Sequence, residues 1–157
     1  MSSTEDVTDF LAQELVGTLC GKLLGKGAAR TVYEHRFDPT LVIKFERNAF
    51  SFQNVIEWQT WERVKNSDLA KWFAPCVAIS PNGCVLVQRR TTTPANYPTH
   101  IPAFFTDLKL PNFGVLLFKD AAEAEREAQF VCHDYGLHLM LEKGMTKRMA
   151  KADWWNL

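Results

Sequence analysis

The stretch PAFFTDLKLPNFG, residues 102–114, places an aspartate, a lysine and an asparagine at Asp107, Lys109 and Asn112. A carboxylate, an ammonium and an amide in so short a span, broken by Pro111, make on their own a common kind of surface turn. What lies on either side decides whether it is more. Upstream, TTTPANYPTHIP at 91–102 reads as a Pro- and Thr-rich connector with little regular structure. Downstream, 115–118 reads as a short strand. The charged, Ala-rich KDAAEAEREA that follows is expected to be an exposed helical insert. A further short strand at 130–132 leads into His133-Asp134-Tyr135-Gly136, and 137–157 reads as mostly helical.

Towards the amino terminus, Ser3 and Asp6 have capping-box spacing, and Val7, Phe10, Leu11, Leu15 and Leu19 recur at helical period. A helix over 4–19, ended by Gly21, is expected. Leu23-Leu24, Thr31-Val32-Tyr33 and Leu41-Val42-Ile43 then read as strands, separated by turns at Gly25–Gly27 and Asp38-Pro39. Residues 49–66 return to a helical period, with Glu57 in a largely apolar face beside Trp61 and Val64. A hairpin over 76–80 and 84–88 follows, turned by Pro81-Asn82-Gly83.

The composition narrows the possibilities. At 157 residues, with 46% apolar content, the chain fits one domain with a real core. Eighteen basic residues balance eighteen acidic ones, which gives no global case for nucleic acid or an anionic membrane as partner. No run has the length to cross a bilayer and the start lacks a secretory pattern, so a soluble, cytoplasmic protein is expected. The four cysteines form no C-x-x-C and are expected to be reduced core residues. Cys132, His133 and His138 match no standard zinc spacing.

The order of the polar motifs is more informative than any one of them. Gly25-Lys26-Gly27 begins a G-x-G-x-x-G-x-V-like loop, with Val32 in the valine place and Arg30 where a third glycine would stand. Val42-Ile43-Lys44 comes next, then Glu57 on a helix, with Glu62 a poorer choice on another part of that face. The hairpin, the connector, D-x-K-x-x-N, two short strands and Asp134-Tyr135-Gly136 follow. In this order the chain resembles the protein-kinase-like superfamily over about residues 21–136. It is similar to small kinase-like reading frames carried by bacteriophages and prophages.

The resemblance implies an α+β, reduced two-lobed protein-kinase-like fold. A small antiparallel sheet with one core helix would form the first lobe (21–90), after an N-terminal helix (1–20). A connector (91–102) and a truncated second lobe (103–157) would complete the single domain. ATP with Mg²⁺ or Mn²⁺ is the implied ligand. Gly25 and Gly27 would cover the phosphates, and Lys44, held by Glu57, would contact them. Val32 and Ile43 would line the adenine pocket, and the strand end Val87–Arg89, with Val87 and Gln88 foremost, would give backbone contacts to the adenine edge. Asp107 would orient the acceptor hydroxyl, Lys109 would offset charge on the moving phosphoryl group, and Asn112 and Asp134 would hold the metal.

Phe105-Thr106 replaces the usual His-Arg pair, so control through a phosphorylated activation loop is expected to be absent. There is no A-P-E element after Gly136, so a protein acceptor would have to be recognised elsewhere. Two functions stand open. One is a minimal phosphotransferase acting on a protein or small-molecule hydroxyl. The other is a catalytically inactive module that binds or inhibits a host protein. Trp154 and Trp155, near Lys147, Arg148 and Lys151, would either dock a partner or close the core.

Overall fold

Short β-rich runs separated by Gly and Asp-Pro turns have one economical solution, an antiparallel meander. The computed structural model describes residues 13–14, 16–46, 51–120, 122–123, 128–136 and 144–156, and it contains that meander. Strands β1 (Cys20–Lys26), β2 (Arg30–His35) and β3 (Leu41–Glu46) pair in succession, and β4 (Cys76–Ile79) and β5 (Val85–Arg89) form a hairpin. The five lie in the order β1-β2-β3-β5-β4, all neighbours antiparallel. The β2–β3 turn is fixed by Asp38, whose Oδ1 accepts from the Thr40 N–H at 2.9 Å and the Thr40 hydroxyl at 2.7 Å. Gly21 lies inside β1 and does not end a helix. Residues 13–14 and 16–19 are helical, and the rest of the helix expected over 4–19 lies outside the described residues.

Helix α1 (Gln53–Val64) joins β3 to β4 and rests against β3, β4 and β5. Its fully buried positions are Asn54, Glu57, Thr60 and Val64, more polar than the largely apolar face the sequence suggests, while Trp58 and Trp61 pack partly buried against the core that Val64 joins. Hydrogen bonds fix its N-terminal end. Buried Glu46, at the end of β3, accepts from the N–H groups of Gln53 (2.9 Å) and Asn54 (3.0 Å), a carboxylate on the helix N-terminus. Asn54 Nδ2 in turn faces the carbonyls of Lys44, Gly83 and Cys84 at 3.0–3.1 Å.

Gly83, in the β4–β5 turn, has φ +74°, and a Cβ there would meet Val55 Cγ2 at 2.7 Å. Gly83→Ala is therefore expected to lower stability by about 1–3 kcal/mol, from backbone strain and a side-chain clash together. Urea denaturation measures it. A change within about 0.5 kcal/mol would mean that the turn relaxes freely.

The second half of the chain departs most from expectation. The connector is irregular over 93–99 but carries a short strand at each end. It contributes β6 (Thr91–Thr92) to a three-stranded sheet, β6-β8-β9, with β8 (Phe113–Leu116) and β9 (Phe130–Cys132). It also contributes β7 (His100–Pro102), which pairs with β10 (Met149–Lys151). The tail is thus extended where it is described, not helical. Residues 137–143, and 121 and 124–127 of the expected insert helix, lie outside the described residues, with 122–123 helical.

One aromatic core joins these parts. Val64, Cys76 and Leu86 share it with Ile101, Phe104, Phe105, Phe113, Cys132 and Tyr135. Phe73 stacks on Phe104 at 5.9 Å and meets Tyr135 edge-on at 5.0 Å. Phe105 packs between Phe73 and Phe113, so the residue before Thr106 fills the core. Trp154 closes the far side against Phe113 (4.9 Å) and Tyr97 (5.2 Å), and its Nε1 donates to Pro98 O at 2.8 Å. The chain is α+β with mostly antiparallel sheets. No helix among the described residues is long and apolar enough to cross a membrane.

Candidate functional site

A cleft of about 610 Å³ opens between the β1–β2 turn, the inner face of β3, the end of β5 and the 107–112 loop. Gly25, Gly27, Val32, Lys44, Asp107, Lys109, Asn112 and Asp134 all line it. Residues far apart in the chain therefore converge on one concave surface. A second groove of about 710 Å³ beside Ser67, Asp68, Trp72, Pro102, Lys147 and Met149 gathers none of them.

At the back of the cleft lies a buried ion cluster. Glu57 is fully buried. Its Oε2 meets Lys44 Nζ at 3.0 Å and its Oε1 meets Arg30 Nη2 at 2.8 Å. The N–H groups of Tyr135 (3.1 Å) and Gly136 (3.3 Å) also donate to Oε1. Burial alone would raise the Glu57 carboxyl, but Arg30 and Lys44 outweigh it and hold it at about 2. Burial alone would lower the Arg30 guanidinium, and Glu57 and then Asp134 raise it instead. Gly136 leaves no room for a side chain there, since a Cβ would lie 2.9 Å from Gln53 O. Asp-Tyr-Gly thus sits tightly on the first turn of α1. Tyr135, wholly buried, anchors it through Oη to Ala74 O at 3.0 Å.

The 107–112 loop is tied to the same segment. Asn112 Nδ2 donates to Asp107 Oδ2 at 3.0 Å, and Asn112 O accepts the N–H groups of His133 (2.9 Å) and Asp134 (3.3 Å). The tail straps the loop from behind. Trp155 N–H donates to Leu108 O at 3.1 Å, Leu110 N–H donates to Trp155 O at 3.0 Å, and Lys109 Nζ lies 5.1 Å from the Trp155 ring centre.

Three expected positions differ. Ile43 does not line the cleft. Strand side chains alternate, so the residue sharing the face of Lys44 is Val42, and Val42 is the one that lines it. Val87 and Gln88 do not line it either. β5 runs between β3 and β4, so Val87 pairs with both Ile43 and Ala78 and is not available as an edge. Gln88 turns inward, its amide 3.5 Å from Glu57. Of the expected strand end only Arg89 lines the cleft, followed by Arg90 and Thr91. The Arg89 N–H is committed to Pro75 O (2.9 Å) and the Arg90 N–H to Thr40 O (2.7 Å).

Three contributors were not foreseen. Glu46 and Asn54 set the helix that carries Glu57, as above. His133 bridges the site, its Nε2 donating to Pro111 O at 2.6 Å and its Nδ1 accepting from the Thr91 hydroxyl at 2.7 Å. That tautomer is neutral. Burial, then Lys44, lowers the imidazole from 6.5 to about 4. A depressed pKa favours folding above the unfolded value, and this contribution is lost as pH falls through the folded one. Stability is therefore expected to drop between pH 6.5 and about 4. Glu57 begins to contribute only below its ordinary 4.5, so the upper part of the window belongs to His133. Urea titrations at about pH 7 and about pH 5 measure it, and His133→Gln is expected to flatten the difference. An unchanged slope in that variant would assign the acid sensitivity elsewhere.

Six cations, Lys26, Arg30, Lys44, Arg89, Arg90 and Lys109, line the cleft with two carboxylates, and after the pairing of Arg30 and Lys44 with Glu57 and of Arg90 with Glu34 an excess of positive charge remains, suited to a polyanion. Leu24, Val32 and Val42 add an apolar wall. Asn112 and Asp134 offer the hard oxygens that Mg²⁺ or Mn²⁺ takes alongside phosphate. Among the described residues no three His, Cys, Asp or Glu side chains group as an all-protein metal site. Asp134 Oδ1 is engaged by Arg30 Nη2. No protein-family model matches the chain, and no curated protein matches its sequence.

Proposed function

We propose that the cleft binds a nucleoside triphosphate and that the protein is a minimal phosphotransferase with a reduced protein-kinase-like fold. The observation that carries this reading is the convergence of Lys44, Asp107, Asn112 and Asp134, from distant parts of the chain, on one cation-rich cleft. Two features support it. A buried ion cluster is seldom more stable than apolar residues of the same volume, so stability does not account for Lys44, Glu57 and Arg30. Glycine is also not required by the fold at the end of β1, where Gly25 pairs with Val32, or at Gly27 in the β1–β2 turn. A Cβ at Gly25 would touch nothing within 4 Å, and one at Gly27 would only reach Arg30 O at 3.7 Å. Bare backbone there leaves room for phosphate to approach.

In this reading Lys44 holds the phosphates, and Asp107 accepts the proton of an acceptor hydroxyl and aims its oxygen at the terminal phosphorus. Lys109 faces the transferring group. Asn112 and Asp134 would hold a divalent ion, which when bound offsets phosphate charge. The base rests on Leu24, Val32 and Val42. The hydroxyl acceptor belongs to a protein or a small molecule, with a host protein as the expected partner.

A second reading, a binding module without transfer, is favoured by the Arg30–Asp134 ion pair, which occupies an expected metal ligand. Transfer of labelled γ-phosphate in a host lysate, with Mg²⁺ or Mn²⁺, separates the two. Label lost in Asp134→Ala supports the phosphotransferase. Nucleotide binding without transfer supports the module, and absence of both overturns the nucleotide reading.

A further inference from the structure

Arg30 is the one departure in the Gly-loop pattern that the structure places at the centre of the site. It is the first residue of β2, and only 7% of its surface is exposed. Its Nη1 lies 3.3 Å from Asn54 Oδ1, while Nη2 is shared between Glu57 Oε1 at 2.8 Å and Asp134 Oδ1. Arg30 is also among the residues that line the cleft. It is therefore not a surface arginine that has drifted inward. Three side chains from two segments hold it in a fixed orientation, facing the cavity.

We propose that Arg30 is the resident cation of the cleft, so that a nucleoside di- or triphosphate binds there without needing a divalent metal ion. The inference rests on the nucleotide reading and concerns what that site requires. A divalent ion in such a site does two things. It cancels repulsion between the Asp134 carboxylate and the phosphates, and it bridges the phosphate oxygens. Arg30 already does the first. It sets a permanent positive charge against Asp134, and a guanidinium cannot lose its proton at any working pH. Among the remaining cations of the wall, Lys44 is paired with Glu57, Arg90 with Glu34 at 3.2 Å, and Arg89 Nη2 donates to Leu117 O at 3.0 Å, so Lys26 and Lys109 are the ones placed to meet the phosphate oxygens. A metal ion at Asp134 would instead sit beside the guanidinium, and like charges at contact distance repel. Metal and Arg30 therefore compete for one carboxylate, and the ion's place in this protein lies in transfer and not in binding.

The test is calorimetric titration of the wild-type chain with ATP and with inorganic triphosphate, each in excess EDTA and in excess Mg²⁺. Wild type is expected to keep its ATP Kd within about threefold between the two conditions. Arg30→Gly removes the resident charge and is expected to bind at least about tenfold more weakly in EDTA than in Mg²⁺. Arg30→Lys keeps a charge and should remain metal-indifferent.

Wild-type binding that vanishes in EDTA and returns with Mg²⁺ would overturn the proposal while leaving the nucleotide site standing. Binding of neither probe in either condition would overturn both. Metal-indifferent binding that persists in Arg30→Gly would move the role to another cation and also overturn the proposal. Should Arg30→Gly not fold, the wild-type and Arg30→Lys titrations decide. Triphosphate competing with ATP in EDTA would show that the phosphates carry the recognition, as the committed Arg89 and Arg90 N–H groups lead one to expect.

Discussion

Glu57→Gln is expected to lower the unfolding free energy by about 3–5 kcal/mol, a large part of the roughly 5–15 kcal/mol that holds a domain together. The substitution barely changes shape. It removes the carboxylate that two buried cations share: Arg30 keeps Asp134, while Lys44 loses its ion-pair partner in low dielectric. It also weakens the acceptor that holds the Tyr135 and Gly136 N–H groups, so Asp-Tyr-Gly loosens at the same time. Pairing the variant with Lys44→Met should restore part of the loss, because the cation left without its carboxylate is then gone. Urea denaturation of the single and double variants measures both effects. A single-variant loss under about 1 kcal/mol would mean that water reaches the cluster and that the charges are solvated there.

Asp107→Asn carries the largest expected effect on chemistry. Phosphoryl transfer is expected to fall by about 10²–10⁴, the usual worth of a positioned base. Nucleotide Kd should change less than about threefold, because no phosphate contact is assigned to this residue. Asparagine keeps an oxygen for Asn112 Nδ2, which now donates to Asp107 Oδ2 at 3.0 Å, so the loop should hold its form. A loss of binding as large as the loss of transfer would recast Asp107 as a ligand-holding or structural residue. Transfer that survives unchanged would remove it from the reaction.

The first half of the chain was legible because its signals are local. Alternating Val, Ile and Leu, an Asp38-Pro39 turn and Pro81-Asn82-Gly83 each act over a few residues, and five strands and one helix follow from them. The second half was not, because its strands are short and their partners distant. β7 pairs with β10 through His100 and Lys151, and three residues of alternation leave no readable period. The tail looked helical because Lys, Met and Ala favour helices, and pairing with β7 overrides that preference. Ile43 was a misreading that alternation alone could have prevented. If Lys44 points into the cleft, the neighbour on its face is two residues away, at Val42. The N–H groups of Arg89 and Arg90 could not be assigned from sequence, since which strand lies inside a sheet depends on the whole topology. Arg30 was visible as a basic residue in a glycine's place, but nothing local said that it would turn inward to Glu57 and Asp134. Its partners lie 27 and 104 residues away.

The most direct measurement of the central claim is backbone hydrogen–deuterium exchange with and without ATP, on wild type and on Lys44→Met. A nucleotide in the cleft is expected to slow exchange in the β1–β2 turn around Gly25–Gly27, in the 107–112 loop and at His133-Asp134. Lys44→Met is expected to lose most of that protection. Protection confined to the groove beside Ser67, Trp72 and Met149, or no change anywhere at saturating ATP, would contradict a nucleotide site in this cleft.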